Sequence, residues 1–244
     1  MKQACETLLE QAERRGVLLK LCGGWGCSVH CSKTQHIAER SGRVFSDLDF
    51  ASYQKDRLAV VDLLHTNGYR EVPGSATVPG LRRTTFTSLA GDIHGDVFYD
   101  FLSFSHTIDL KGRLEVDHPT IPLAELFLQK MQIVRFAEKD AIDIQRLLLE
   151  HGFSEDDKDH INSQRIVRLC SRNWGLWRTV TVNENLLREF TVGSAILDAS
   201  EKVVVFSRLN DLQRLLQTAP KTLGWRLRSM IGDRLPWYDT VEDA

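Results

Sequence analysis

Asp47 and Asp49 stand two residues apart in the run Phe45-Ser46-Asp47-Leu48-Asp49-Phe50. In a β-strand, residues i and i+2 point to one face, so the two carboxylates project together. Like charges held that close repel, and removal from water adds to the cost, unless a cation stands between them. A divalent metal, Mg²⁺ or Mn²⁺, suits paired carboxylates, and metal-assisted phosphoryl transfer is the chemistry that uses such a pair. The flanking Val44, Phe45, Leu48 and Phe50 predict a largely buried strand, which sharpens the need for a cation.

A third carboxylate is within reach of the same pattern. Ile93 to Leu102 reads as a strand in which Asp96, Phe98, Asp100 and Leu102 share one face and Val97, Tyr99 and Phe101 the other. Asp96 is the preferred third acid and Asp100 the competitor. Together Asp47, Asp49 and Asp96 would form a metal set, with Asp96 able to act as general base toward an attacking hydroxyl. Upstream, Gly23 and Gly24 sit in a turn between a strand and a short helix. Glycine lets a ligand approach the backbone closely, and N–H groups at a helix start can hold a phosphate.

The elements that must position these residues fall into two halves. Glu6 to Arg15 reads as a helix ended by Gly16, Val17 to Cys22 as a strand, and the Gly23-Gly24-Trp25-Gly26 turn leads into a helix through His30. Ser32 to Arg43 reads as a polar loop and Val44 to Tyr53 as the acid-bearing strand. Lys55 to Asn67 is an amphipathic helix closed by Gly68. Tyr69 to Val72, Arg82 to Leu89 and Ile93 to Ser103 are β-like. Past Pro119 and Pro122 the period becomes helical: Leu123 to Phe136, Ala137 to His151, Ile161 to Arg172, Glu184 to Phe190, Lys202 to Gln217 and Thr222 to Ile231. The expected fold is therefore α/β (α+β), a small mixed-sheet domain over residues 1–118 followed by an all-helical domain over 119–244.

The 42% hydrophobic and 26% charged content of the 244 residues is that of a globular chain, and a net charge of −2 gives no overall pull toward nucleic acid. No apolar run approaches the roughly 20 residues that span a bilayer, and the first residues lack the apolar core of a signal peptide, so no membrane partner and a cytoplasmic location are expected. The five cysteines suggest no disulfide framework. Cys22, Cys27, His30 and Cys31 cluster, but their spacing is not that of common zinc sites, and small buried thiols are the plainer reading. From His160 to Arg234 there are 12 Lys and Arg against 6 Asp and Glu, with Trp174, Trp177 and Trp225 among them. Such interleaving can bind single-stranded nucleic acid, although a helical core with a solvated basic face explains it as well.

Gly-Gly followed by Ser-Asp-Leu-Asp-Phe and then Asp96-Val97-Phe98 resembles the nucleotidyltransferase superfamily of DNA polymerase beta type, nearest its AbiEii-type and antibiotic-nucleotidyltransferase-like branch. The resemblance covers about residues 17 to 150. It implies that the chain moves a nucleoside monophosphate from a nucleoside triphosphate to a hydroxyl acceptor and releases pyrophosphate. It implies Gly23, Gly24 and Ser46 at the phosphates, Lys130 as a cation for pyrophosphate, and Asp140, with Asp143 three residues on, in a helix near the nucleotide. A small molecule, rather than tRNA or protein, is the expected acceptor. A toxin-like enzyme acting on tRNA or protein, or a non-catalytic nucleotide-binding or interaction protein, are the alternatives. The gap between Gly24 and Asp47 is long for the superfamily, and its Lys33, His36, Arg40 and Arg43 are read as a solvated loop in preference to substrate contacts. Lys130 lies among Phe127, Leu128, Met131 and Ile133, so partial burial would require an anionic partner, and Asp140 or Asp143 could supply it.

Overall fold

The structure, a computed structural model, describes residues 1–73 and 82–239. In chain order it forms α1 (Lys2–Arg14), β1 (Lys20–Leu21), α2 (Gly23–His30), α3 (Gln35–Arg40), β2 (Asp47–Ser52) and α4 (Arg57–Thr66). Then come β3 (Tyr69–Glu71), β4 (Arg83–Ser88), β5 (His94–Tyr99), β6 (Phe101–Ser103) and β7 (Thr107–Asp109). The remainder holds α5 (Leu123–Met131), α6 (Glu138–Glu150), β8 (Phe153–Ser154), β9 (Ile161–Asn162), α7 (Ser163–Cys170), α8 (Trp174–Gly193), α9 (Ala199–Thr218) and α10 (Leu223–Ile231). Helix outweighs strand, and the fold is α+β. Among the described residues no helix is long and apolar enough to cross a membrane.

Two compact units share the chain. The first takes Met1–Val29, Val44–Ser103 and Thr107–Pro122; the second takes His30–Arg43, Phe104–His106 and the chain from Leu123 on. The second unit thus draws on two segments of the first half of the sequence. Its expected last residues, 240–244, lie outside the described residues.

The first unit is built on a five-stranded mixed sheet in the order β1-β2-β5-β4-β3, in which β2 and β5 run parallel and the other described pairs antiparallel. Alternation places Leu48 and Phe50 of β2, with Val97 and Tyr99 of β5, on the core face, each fully buried. Helix α1 adds Cys5, Leu8 and Ala12, spaced three and four apart so that one stripe faces the sheet, and α4 adds Val60, Leu63 and Leu64. Phe86 of β4 joins this core, stacked on Phe50 at 6.3 Å and edge-on to Tyr69 at 5.5 Å. Burying each such side chain stabilises the unit by about 1.5–3 kcal/mol, which fixes the strand register and with it the direction of every polar neighbour.

The second unit is helical apart from one short parallel pair, Phe153 with Ile161 and Ser154 with Asn162. Its core holds Phe127 of α5, Ile144, Leu147 and Leu148 of α6, Val180 and Leu187 of α8, and Leu209 and Leu212 of α9, all fully buried. Helix starts are capped by side chains as elementary chemistry requires: Asn162, Asn173, Asp198 and Thr222 each accept a backbone N–H of the first turn.

Four expectations about elements change. The Gly23-Gly24 segment is the first turn of α2 itself, with no separate turn before it. The expected polar loop contains α3, held by buried Ile37 and Ala38; two apolar residues in so short a helix leave no period to read. The strand expected over Ile93–Ser103 breaks at Asp100, whose φ of 60° lies in the left-handed region, so β5 and β6 are separate. The helix expected from Glu184 begins at Trp174, because the Asn173 cap and the burial of Trp174, Leu176 and Val180 outweigh the weak helix propensity of its β-branched residues.

Candidate functional site

The outer face of the first unit's sheet carries the acids. In the parallel pair β2–β5, Asp47 is opposite His94 and Asp49 is opposite Asp96. Both strands show the same sequence of exposure, open at the first residue, half-buried at the third and buried beyond. The acid face is therefore open at the start of the two strands and closed further on, where Ala51 and Phe98 are buried. The strand expected to be largely buried is buried at Leu48, Phe50, Ala51 and Ser52, and its acid face is open only at the start. Asp47 and Val44 are exposed and Asp49 is half-buried. Asp47 is open to solvent and Asp49 is not sealed, so burial alone no longer demands a cation.

Gly23 belongs to this face. Leu21 pairs with Phe50, and the Cys22 N–H donates to the Asp49 carbonyl at 2.8 Å, which carries the start of α2 directly past Asp49. A Cβ on residue 23 would collide with Asp49 Oδ2, and the φ of +64° is one that L side chains rarely adopt. Only glycine meets both conditions. Gly24 follows in the first turn of the helix, half-buried, and Ser46 donates its hydroxyl to Asp47 Oδ2 at 3.0 Å. The structure thus gathers Gly23, Ser46, Asp47, Asp49 and Asp96 around one end of one sheet face. It leaves out Asp100, whose Oδ1 accepts the Gln54 N–H at 3.1 Å; the left-handed backbone there ends the alternation that would have aligned it with Asp96.

Asp96 is altered by what surrounds it. Burial holds its carboxyl above the usual carboxylate range; the Thr85 hydroxyl, 2.6 Å away, and the Arg83 guanidinium pull it down, and the Asp47 charge pushes it up again. Arg83 Nε stands 3.5 Å from Asp96 Oδ1. Thr85 is the register partner of Asp96, and Arg83 lies two residues away on the same face of β4. Arg83, Thr85 and His94 are the residues that sequence reasoning missed. The alternation in Arg83-Thr84-Thr85 was legible, but nothing in the sequence says that this strand lies beside Asp96.

Three hard carboxylate oxygens on one face are a donor set suited to Mg²⁺ or Mn²⁺. Among the described residues, however, no three His, Cys, Asp or Glu side chains are drawn together closely enough to hold an ion as they stand. Asp96 leans on Thr85 and Arg83, and Asp47 takes the Ser46 hydroxyl. The donor types fit the metal, and closing the set would require Asp96 to exchange partners.

Lys130 and Asp140 lie in the second unit and form a different arrangement. Lys130 Nζ is 2.9 Å from Asp140 Oδ1 and 3.0 Å from Asp143 Oδ2. Arg43 grips Asp143 with two bonds, Nε to Oδ1 at 3.1 Å and Nη2 to Oδ2 at 2.9 Å. Asp140 Oδ2 also accepts the Ala137 N–H at 3.3 Å, capping α6. Lys130, Asp140 and Asp143 are all buried, Asp143 completely. Arg43, expected in a solvated loop, is part of this quartet. The expected anionic partner of Lys130 is thus present twice over, and supplied by the protein.

The cysteines and tryptophans settle into packing. Cys5, Cys22, Cys27, Cys31 and Cys170 are all buried free thiols. Burial pushes the Cys31 and Cys170 thiols up to about 12. Trp177 and Trp225 pack edge-on at 5.1 Å, Arg228 lies 4.5 Å over Trp174, and Arg165, Arg178, Arg188 and Arg214 each pair with a carboxylate. Part of the basic, aromatic stretch is thus engaged in holding its own unit together.

No family model matches the chain, and no curated protein matches it in sequence.

Proposed function

We propose that the chain is a metal-dependent nucleotidyltransferase that moves a nucleoside monophosphate from a nucleoside triphosphate to the hydroxyl of a small acceptor. One observation carries this reading: Asp49 and Asp96 are direct neighbours in parallel strands, at the open end of a face that also bears Asp47, with Gly23 pressed against Asp49 where no side chain fits. Asp47, Asp49 and Asp96 would hold Mg²⁺ or Mn²⁺, which would neutralise triphosphate charge and favour in-line displacement. The backbone N–H groups at Gly23 and Gly24 would receive phosphate oxygens, as helix starts do, with the Ser46 hydroxyl as a further donor. Asp96 would take the proton of the acceptor hydroxyl. The acceptor oxygen would bond to the α-phosphorus as the bond to the β-phosphate oxygen breaks, and pyrophosphate would leave. Arg83, already beside Asp96, is a cation suited to that product, and releasing Asp96 to the reaction frees it for the task. For Lys130 to serve pyrophosphate, a phosphate would have to displace one of its two carboxylates.

The tryptophans that pack in pairs within the second unit are not laid out as stacking platforms, which supports a small acceptor over single-stranded nucleic acid. Calorimetric titration of ATP, GTP, CTP and UTP, with and without Mg²⁺, tests the reading. Metal-dependent binding of a triphosphate that disappears in Asp47→Ala/Asp49→Ala is the expected result. No binding by any of the four, in a protein whose fold is intact, would overturn it.

A further inference from the structure

The second unit contains a cavity that the nucleotidyltransferase reading does not use. It has a volume of about 510 Å³ and lies between α6 and the C-terminal part of α8 with the turn that follows. Its walls are apolar, with Ile142, Phe190 and Ile196 among them, and Glu138 and Glu189 stand in the lining. No Lys, Arg or His is among the residues that line it. Glu138 and Glu189 are both exposed.

Gln145 also lines the cavity and is only 3% exposed. Its amide orientation is decided by its neighbour. The Thr191 hydroxyl donates its one hydrogen to the Leu187 carbonyl at 2.7 Å, so its oxygen must accept from Gln145 Nε2, 3.1 Å away. The Gln145 carbonyl oxygen is thereby turned away from Thr191, and among the described residues no donor reaches it. That oxygen is left able to accept a hydrogen bond, and a ligand that brings an N–H can supply it.

We propose that this cavity binds a small molecule with an apolar body and an ammonium group. The apolar walls take the body, the Gln145 oxygen accepts one N–H, and Glu138 and Glu189 complement the charge. An anion is disfavoured by two carboxylates with no cation in the lining, and a neutral apolar molecule leaves Gln145 as it is. The inference stands apart from the nucleotidyltransferase reading, since it uses none of the same residues.

The test is titration calorimetry at low salt with 2-phenylethylammonium and with 2-phenylethanol, its neutral counterpart of similar shape. The ammonium compound should bind about tenfold more tightly than the alcohol, the size of effect that one favourable charge contact gives. In Glu138→Gln/Glu189→Gln, both exposed positions, that preference should fall to within about threefold while affinity for the alcohol and the melting temperature stay unchanged. Equal affinity for the two compounds, no binding by either, or a preference that survives the double substitution would each overturn the proposal.

Discussion

Aspartates dominate two regions of this molecule and do opposite things in them. In the second unit, Asp140 and Asp143 are sealed from solvent and answered by Lys130 and Arg43 at 2.9 to 3.1 Å. In the first unit, Asp47, Asp49 and Asp96 sit where a sheet face opens, none of them sealed, with hydroxyls as near neighbours. A buried carboxylate bound to two cations cannot change partners without a large penalty. A carboxylate at an open edge exchanges one partner for another at little cost. The first arrangement is suited to fixing a structure, the second to meeting a ligand.

Removing one buried acid should break the contrast most severely if it is wrong. Asp143→Ala leaves Arg43 and Lys130 short of a counter-charge and should lower stability by about 3–5 kcal/mol in denaturant unfolding. A loss as small as that of Asp47→Ala, which should stay within about 0.5 kcal/mol as an exposed site does, would mean that the two regions do not differ as described.

Acid should find the second unit through a buried base. Burial lowers the pKa of His106, whose Nε2 lies 2.8 Å from Thr179 Oγ1, from 6.5 to about 4. The unfolded chain takes a proton on this ring near pH 6.5, and the folded chain does so only near 4. Between those values the unfolded state binds more protons, so stability falls as pH drops through the window and levels off below it, by about 3 kcal/mol in all. Unfolding free energies measured from pH 7.5 to 3.5 on wild type and His106→Asn should fall more steeply in the first, by that amount over the window.

Gly23→Ala tests the open site. It forces a methyl against Asp49 Oδ2 at a left-handed φ and should lower stability by about 1–2 kcal/mol. Triphosphate binding should be lost with it. Gly16→Ala is the control: it has a comparable φ of +66° but open space around it, so the strain should appear there without the loss of binding.

The smallest effect has the opposite sign. The Asp96 carboxyl is held above its ordinary range, so the stability tied to this group is present in acid and is lost as pH rises through its folded value. Without metal at pH 7, Asp96→Asn should therefore raise the melting temperature by about 1–2 °C. A fall would show that the bonds to Thr85 and Arg83 outweigh the burial of the charge.

What the sequence disclosed follows from what is local. The alternation of Leu48 and Phe50 with Asp47 and Asp49, and the helical period of Lys55 to Asn67, are written in neighbouring residues, and both elements form inside the expected bounds, over Asp47–Ser52 and Arg57–Thr66. The acid face was legible for the same reason. That Asp49 and Asp96 lie side by side is a fact of strand order, and so are the places of Arg83, Thr85 and His94, which no short-range pattern encodes. Arg43 is the clearest case: it sits 100 residues from Asp143, and only the folded chain brings the pair together. The strand is buried over most of its length, and the opening of the acid face at Asp47 is set by what stands beside the strand's start, on which apolar sequence neighbours are silent.

Arg146 holds the second unit in another manner. It is completely buried, and its guanidinium donates to the main-chain carbonyls of Cys31 and Thr34 at 2.9 and 3.2 Å. Every amino acid carries that carbonyl. As far as this grip is concerned, residues 31 and 34 can be replaced freely over evolutionary time, while position 146 admits no substitute: Lys lacks the planar fork that reaches both oxygens at once. The chain's tolerance of change is thus distributed unevenly across a single contact, with all the constraint on the donor.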